Sequence, residues 1–151
     1  MSKRGLAAVA VVLAAAPFVA LQEGVRLEPY ADPVGIPTVC VGETDRAVIG
    51  LKARFSREEC MAALGASLMQ KAAELDKCVH VPLTDGQATA LLSFAYNVGT
   101  QAACGSTFAK RLNAGEGRAA CAELSRWVYA RGIKLPGLVK RRAAERARCE
   151  A

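Results

Sequence analysis

The stretch that decides the fold is EGVRLEPYADPVGIPT, residues 23–38. It directly follows an apolar run, and short alternations of proline, glycine, threonine and valine continue from it towards Ile49. Turn-forming residues between short β-prone runs are typical of a small hairpin sheet. We therefore expect a β-hairpin region within residues 26–49, and we expect no other β region in the chain.

The same stretch offers two carboxylates and a hydroxyl. Glu23 stands at the end of the apolar run, and Asp32 and Thr38 stand on the expected hairpin. Glycoside cleavage uses such a pair, because one carboxyl protonates the leaving oxygen while an ionised one activates water or stabilises charge. Glu23 fits the first role and Asp32 the second. Spacing alone leaves open the alternative that both are solvated or capping groups.

Helical periodicity dominates the rest of the chain. Ser56 with Glu59, and Thr84 with Gln87, form capping boxes that open helices. The predicted helices span residues 56–75, 84–99, 106–113, 117–129 and 136–149. The helix that begins at Thr84 is apolar nearly all round, so we expect it to be the central helix of the core. The pattern predicts a mostly helical α+β domain of two lobes with a cleft between them.

Length and charge limit the classes of partner. The 151 residues fit one domain. Twenty Lys and Arg against 14 Asp and Glu give a net charge of +6, which favours an acidic polymer such as nucleic acid, anionic lipid or cell wall. The aromatic share of 5% argues against nucleic acid.

Cysteine usage points to an oxidising compartment. The six cysteines stand singly, with no C-x-x-C pair, and His80 is the one histidine. This pattern argues against a zinc or redox site, so we expect neither a metal nor a cofactor. An even count suits three disulfides, with fifteen connectivities open. The alternative is a set of reduced, buried cysteines in a cytosolic protein.

The N-terminus has the layout of an export signal. Lys3 and Arg4 precede the uncharged run of residues 5–22. Pro17 and Phe18 disfavour the available cleavage sites, and the run is short and alanine-rich for a membrane span. We therefore expect residues 1–22 to be an uncleaved, marginal signal anchor and residues 23–151 to be the exported domain. A cleaved signal peptide and a simple buried helix are the alternatives.

A known family carries the same motif. The pattern E-G-x-R-L-x-x-Y-x-D-x-x-G-x-x-T, from Glu23 to Thr38, resembles the active-site segment of the phage lysozymes of glycoside hydrolase family 24. Similar later blocks occupy residues 82–87, 92–99, 106–108, 126–129 and 137–146. The resemblance implies a lysozyme-like fold and a monomer that hydrolyses the β-1,4 bond between N-acetylmuramic acid and N-acetylglucosamine in peptidoglycan during host-cell lysis. Glu23 would be the proton donor, and Asp32 and Thr38 would position the attacking water, giving inversion. The alternative is a catalytically inactive exported module that binds the wall.

The N-terminal segment is similar to that of signal-arrest-release endolysins of lambdoid phages. These are exported on an uncleaved weak anchor and later leave the bilayer. The resemblance implies that residues 5–22 contact the inner membrane transiently, and that the enzyme then acts from the periplasm. An inserted anchor would hold Glu23 at the membrane face. The run contains no cysteine, so control by a disulfide exchange within the anchor has no residue to use.

Several single residues have competing interpretations. Glu43 stands where the family usually has histidine, which changes the expected charge of the cleft. Asn97 is a candidate substrate-binding residue or a helix C-terminal residue. Trp127 is expected in the core, with contact to the sugar as the alternative, and His80 is expected at the surface or half buried. The C-terminal basic run is expected to be a solvated helix face or, alternatively, a surface attracted to the anionic wall; it comprises Lys140, Arg141, Arg142, Arg146 and Arg148.

Sequence proximity and the family's block layout favour three disulfide pairs. They are Cys40 with Cys60, Cys78 with Cys104, and Cys121 with Cys149. Each would close a loop of a few tens of residues and stabilise the fold by about 3 to 4 kcal/mol.

Overall fold

The computed structural model describes residues 5–151, so Lys3 and Arg4 lie outside the described residues. The expected α+β class is confirmed: most described residues are helical, and two small antiparallel hairpins complete the fold. The helices are α1 Val9–Glu23, α2 Arg46–Ile49, α3 Arg57–Leu75, α4 Asp85–Val98, α5 Thr100–Gly105, α6 Thr107–Asn113, α7 Gly117–Glu123 and α8 Pro136–Glu150. The strands are β1 Arg26–Ala31, β2 Pro37–Cys40, β3 Tyr129–Ala130 and β4 Ile133–Lys134.

Helix α4 is the central helix, as the sequence predicts. Its stretch from Ala88 to Ala95 is buried without interruption, and it packs against α1, α3, α5 and α8. The capping box of Thr84 and Gln87 is present: the backbone amide of each residue donates a hydrogen bond to the side chain of the other at the start of α4. Gly99 ends the helix with a φ of 91°, a conformation that favours glycine.

The apolar N-terminal run forms α1 and packs against α3 and α4. One side of α1 is buried in the main core: Val12, Ala15, Ala16, Val19 and Ala20. Leu13 and Leu21, on the other side, are exposed. Within residues 5–151, no helix has the length and hydropathy of a membrane span. The packing of α1 fixes its last residue, Glu23, beside the helices of the core.

Strands β1 and β2 form the hairpin that the motif predicts. Tyr30 pairs with Thr38, and Arg26 pairs with Cys40 across an irregularity in the register. A small second core lies beneath this hairpin and consists of Val39, Cys40, Phe55 and Cys60. The hairpin therefore has its own apolar support, next to the end of α1.

Three local expectations are wrong. Residues 46–49 form helix α2 because the Asp45 side chain accepts a hydrogen bond from the amide of Ala47 and caps a helical turn. The helix that begins at residue 117 ends at Glu123, and a 3-10 turn, Leu124–Arg126, follows it.

The third error concerns the number of β regions. Strands β3 and β4 form a second hairpin, where the sequence pattern predicted none. Arg131 and Gly132 both have positive φ, 51° and 76°, as the tightest two-residue hairpin turns require. Because the strands are only two residues long, they leave no alternation in the sequence.

The three disulfides are those expected from the sequence. Cys40–Cys60 joins the first hairpin to α3, Cys78–Cys104 joins the end of α3 to α5, and Cys121–Cys149 joins α7 to α8. All six cysteines are therefore paired. The bridges fasten the first hairpin and the peripheral helices to the elements of the core.

Candidate active site

Glu23 is the last residue of α1, and Gly24, with a φ of 78°, turns the chain away from the helix axis. The Glu23 side chain is 20% exposed, so its carboxyl is partly shielded but can meet a solute. Its Oε1 atom lies 2.5 Å from Nη1 of Arg141, whose side chain is 8% exposed. The carboxyl is therefore held by a charge-assisted hydrogen bond from α8.

The loop after β2 approaches Glu23 closely at Gly42. Gly42 has a φ of 64°, and a Cβ atom at this position would lie 3.2 Å from Oε2 of Glu23. The Tyr96 hydroxyl donates a hydrogen bond to the carbonyl of Val41 and ties this loop to α4. Burial, together with the charges of Glu23 and Glu43, raises the pKa of Tyr96, and Arg141 partly offsets the increase. Glu43, at the family's histidine position, thus adds negative charge near Glu23.

Asp32 and Thr38 share one turn of the first hairpin. Oδ1 of Asp32 accepts hydrogen bonds from the amides of Val34 and Ile36, at 2.9 and 2.8 Å. The buried Thr38 hydroxyl donates to the carbonyl of Ile36, at 2.9 Å. Both side chains are thereby fixed in orientation, while Glu23 is fixed from α8. Among residues 5–151, no hydrogen bond joins Glu23 to either of them.

A buried ion network stands behind Glu23 and consists of Arg141, Arg142 and Glu145 of α8. Glu145 is fully buried: its Oε1 accepts hydrogen bonds from Ser93 Oγ at 2.7 Å and from Arg141 Nε at 3.1 Å. Its Oε2 accepts from Arg142 Nη1. Arg141 also donates from Nη2 to the carbonyl of Ser93 at 2.9 Å, so α8 is bonded to α4 at this point.

This network corrects the expectation that the C-terminal basic run is a solvated face. Lys140 and Arg148 are exposed, but Arg141 and Arg142 are buried. They are buried because Glu145, one helical turn later, neutralises them on the face of α8 that packs against α4. The sequence signal was present as R-R-x-x-E, whose spacing places all three side chains on one side of a helix.

Arg142 extends the network to the candidate residue Asn97. It donates to Oδ1 of Asn97 and, from Nε at 3.0 Å, to the carbonyl of Trp127. Its guanidinium lies 5.1 Å from the centre of the Phe94 ring. Burial lowers the pKa of Arg142, and the charge of Glu145 opposes that change. Asn97 is itself exposed near the C-terminal end of α4, so Arg142 orients an amide that solvent can reach.

The remaining single-residue expectations agree with the structure. Trp127 packs edge-on against Phe94, with ring centres 5.0 Å apart. His80 is exposed. Within the described part of the chain, no group of three or more His, Cys, Asp or Glu side chains could hold a metal ion. The side chains at the site carry carboxylate, hydroxyl, amide and guanidinium groups.

Comparison with known proteins agrees with this geometry. The phage lysozyme family model matches residues 20–145. The chain is 43% identical over 125 residues to the SAR-endolysin of Escherichia phage Mu, covering 83% of this chain and 72% of that one. It is 39% identical over 127 residues to the SAR-endolysin of bacteriophage PS119, with coverages of 84% and 75%.

Solved structures give the same result. A P22 lysozyme mutant superposes with a TM-score of 0.81 at 31% identity, covering 91% of this chain and 95% of that one. The lysozyme-like fold expected from the motif is therefore confirmed. The chain belongs to the phage lysozyme family and is a glycoside hydrolase of the muramidase type.

Proposed function

We propose that this chain is an endolysin in which Glu23 protonates the leaving oxygen of the β-1,4 bond between N-acetylmuramic acid and N-acetylglucosamine in peptidoglycan. The observation that carries the proposal is the setting of Glu23. Its carboxyl is partly buried, oriented by Arg141 and next to the hairpin that presents Asp32 and Thr38. A general acid needs such fixed placement, because proton transfer requires hydrogen-bond distance to the leaving oxygen.

In this proposal Asp32 and Thr38 position the water that attacks the sugar from the opposite face. Two amide donors hold the Asp32 carboxyl in one orientation, which leaves its second oxygen for water. Thr38 uses its hydrogen to bond Ile36, so its oxygen lone pairs can accept from the same water. Attack by water from the opposite face would invert the anomeric carbon. Asn97, oriented by Arg142, would bind substrate at the end of α4.

The direct test compares Glu23→Gln with the unaltered protein on purified peptidoglycan, or on Gram-negative cells with permeabilised outer membranes. Loss of the acid should lower the rate of clearing by roughly 100-fold or more. Glu28→Gln is the matched control, because Glu28 lies in the same segment but is exposed and pairs with Arg54. Equal clearing by Glu23→Gln and the unaltered protein would refute the role of Glu23.

We further propose that residues 1–22 are an uncleaved signal anchor and residues 23–151 the catalytic domain, which acts on the wall from the periplasm. The names of the SAR-endolysin relatives support this proposal. So does the marginal hydrophobicity of a run that here packs as α1 on α3 and α4. The packed form would then be the released form, with Glu23 fixed by the docking of α1.

Cell fractionation tests the anchor. Full-length protein should leave the membrane fraction for the soluble periplasm when the membrane potential is collapsed, and clearing of the wall should follow. A shortened protein that is soluble throughout would instead indicate ordinary signal cleavage.

A further inference from the structure

Glu145 has no role in the chemistry proposed above, yet it is fully buried and ionisable. It is shared by two guanidiniums, those of Arg141 and Arg142. Arg141 in turn divides its hydrogen bonds between Glu145, through Nε, and Glu23, through Nη1. The chain Glu23, Arg141, Glu145, Arg142 thus alternates in sign, with two anions and two cations.

This balance matters because Glu23 must hold a proton in order to donate it. A guanidinium at hydrogen-bond distance favours the ionised form of a carboxyl. Two guanidiniums that faced Glu23 without a counter-ion would favour that form more strongly, since charges interact over longer range where water is excluded. Glu145 supplies the missing negative charge within the buried part of α8.

Resting on the proposed function, we propose that Glu145 is a positioning residue that aims Arg141 at Glu23 and offsets the positive charge that Arg141 brings to the proton donor. Glu145 does not touch substrate, because it is buried and all its partners are protein groups. It acts through Arg141.

Other charged or titratable groups also face Glu23. Tyr96 of α4 interacts electrostatically with both Glu23 and Glu43, Glu43 directly follows Gly42, which lies against Glu23, and Lys71 of α3 lies over the Tyr96 ring at 5.2 Å. Glu43 adds negative charge near Tyr96, and Lys71 adds positive charge there. Neither contacts Glu145, so substitutions in the ion network leave these groups in place.

The test is the pH dependence of kcat/KM, whose alkaline limb reports loss of the proton from the general acid. Glu145→Gln leaves one anion facing two cations, and its alkaline limb should move to lower pH by about one unit. Arg142→Gln leaves two anions facing one cation, and its limb should move to higher pH. The double variant has one anion and one cation, so the charges balance again. Its alkaline limb should return towards the pH found for the unaltered protein.

A purely structural role predicts something different, namely lower activity at every pH with unmoved limbs. That result, or limbs that move in the same direction in both single variants, would overturn the proposal. Circular dichroism at the assay temperature identifies the folded variants. If Glu145→Gln does not fold, Arg142→Gln still tests the proposal. An alkaline limb that stays in place in Arg142→Gln, or that moves to lower pH, would overturn it.

Failure of this proposal is distinct from failure of the proposed function, because Glu23→Gln should be inactive at every pH whereas Glu145→Gln should keep activity on the acid side.

Discussion

At the scale of single residues, the site depends on close approach of backbone to the Glu23 carboxyl. Gly42 permits this approach because it has no Cβ and tolerates its φ of 64°. The motif predicted turns that contain glycine near the candidate catalytic residues. It could not predict which glycine faces Glu23, because that contact joins the loop after β2 to the end of α1.

Gly42→Ala should therefore lower activity as well as stability. The added methyl group would lie 3.2 Å from Glu23 Oε2, so the carboxyl must move from its place against Arg141. The positive φ alone should cost about 1 to 2 kcal/mol. Steady-state kinetics and urea unfolding measure the two effects.

Gly115→Ala is the matched control for Gly42→Ala. Gly115 has a φ of 76°, but a methyl group added there would meet open space, with nothing within 4 Å. It should lose a similar amount of stability and keep its kcat. Equal kcat in both variants would contradict the role of Gly42.

Tyr96 should make the fold sensitive to alkaline pH. Burial raises the pKa of Tyr96 above its ordinary value of 10.0, so folding favours the neutral phenol. Its contribution to stability is complete below pH 10.0 and falls as pH rises beyond that value. Tyr96→Phe should lose about 1 kcal/mol at neutral pH, for the bond to Val41, and should lack this alkaline decline.

Thermal unfolding of the two proteins, followed from neutral to alkaline pH, checks this prediction. Tyr129→Phe is the control, because Tyr129 is exposed. Parallel curves for Tyr96→Phe and the unaltered protein would show that the Tyr96 hydroxyl has no such role.

At the scale of elements, the start of α1 lacks a cap of its own. Ala8 occupies the N-cap position and offers no side-chain acceptor. The Asp76 carboxylate at the end of α3 instead holds the turn that precedes α1, accepting hydrogen bonds from the amides of Leu6 at 2.7 Å and Ala7 at 3.0 Å. A carboxylate at the C-terminal end of a helix is unfavourable because the helix dipole places partial negative charge there. The hydrogen bonds from the two amides offset this unfavourable interaction of Asp76.

Asp76→Ala should loosen the docked N-terminal segment while leaving the rest of the fold in place. Hydrogen bonds to a charged group contribute about 1.5 to 3 kcal/mol, so the amides of Leu6 and Ala7 should exchange hydrogen much faster. Hydrogen exchange followed by NMR measures this directly. Glu58→Gln, an exposed change at the other end of α3, should leave the two amides unaffected. Unchanged exchange in Asp76→Ala would contradict the role of Asp76.

The elements that the sequence predicted best are those specified locally. The capping boxes at Ser56 and Thr84 lie within four consecutive residues each, and both helices begin where these boxes predict. Helix α5 was missed because Gly99 ends α4 and also serves as the N-cap of the next helix. The R-R-x-x-E spacing could have indicated the pairing of Arg141 with Glu145, but the other partners of Arg141, Glu23 and Ser93, lie far away in the chain and could not be predicted.

At the scale of the whole molecule, the disulfides hold the peripheral elements to the core. They span sequence separations of 20, 26 and 28 residues. Loops of this length correspond to about 3 to 4 kcal/mol each from the lost freedom of the unfolded chain. The count of cysteines predicted three bridges, and the choice among fifteen pairings rested on sequence proximity together with the family's block layout.

Replacing Cys121 and Cys149 together by serine should lower the free energy of unfolding by about 3 kcal/mol. It should also release α7 from α8, the helix that holds Arg141 and Glu145. Urea unfolding measures the loss of unfolding free energy in this variant. The same measurement on a variant in which Cys78 and Cys104 are both replaced gives the comparison with a second bridge. A loss well under 1 kcal/mol would contradict the contribution assigned to the bridge.

If Glu23 protonates the leaving oxygen while water attacks the sugar, as proposed, the products record both events. Purified peptidoglycan should be digested in water enriched in oxygen-18, and the fragments analysed by mass spectrometry. Hydrolysis with Glu23 as the acid should yield N-acetylmuramic acid reducing ends that contain one heavy oxygen, with essentially none from Glu23→Gln. Anhydro ends without heavy oxygen, or equal yields from the two proteins, would contradict it.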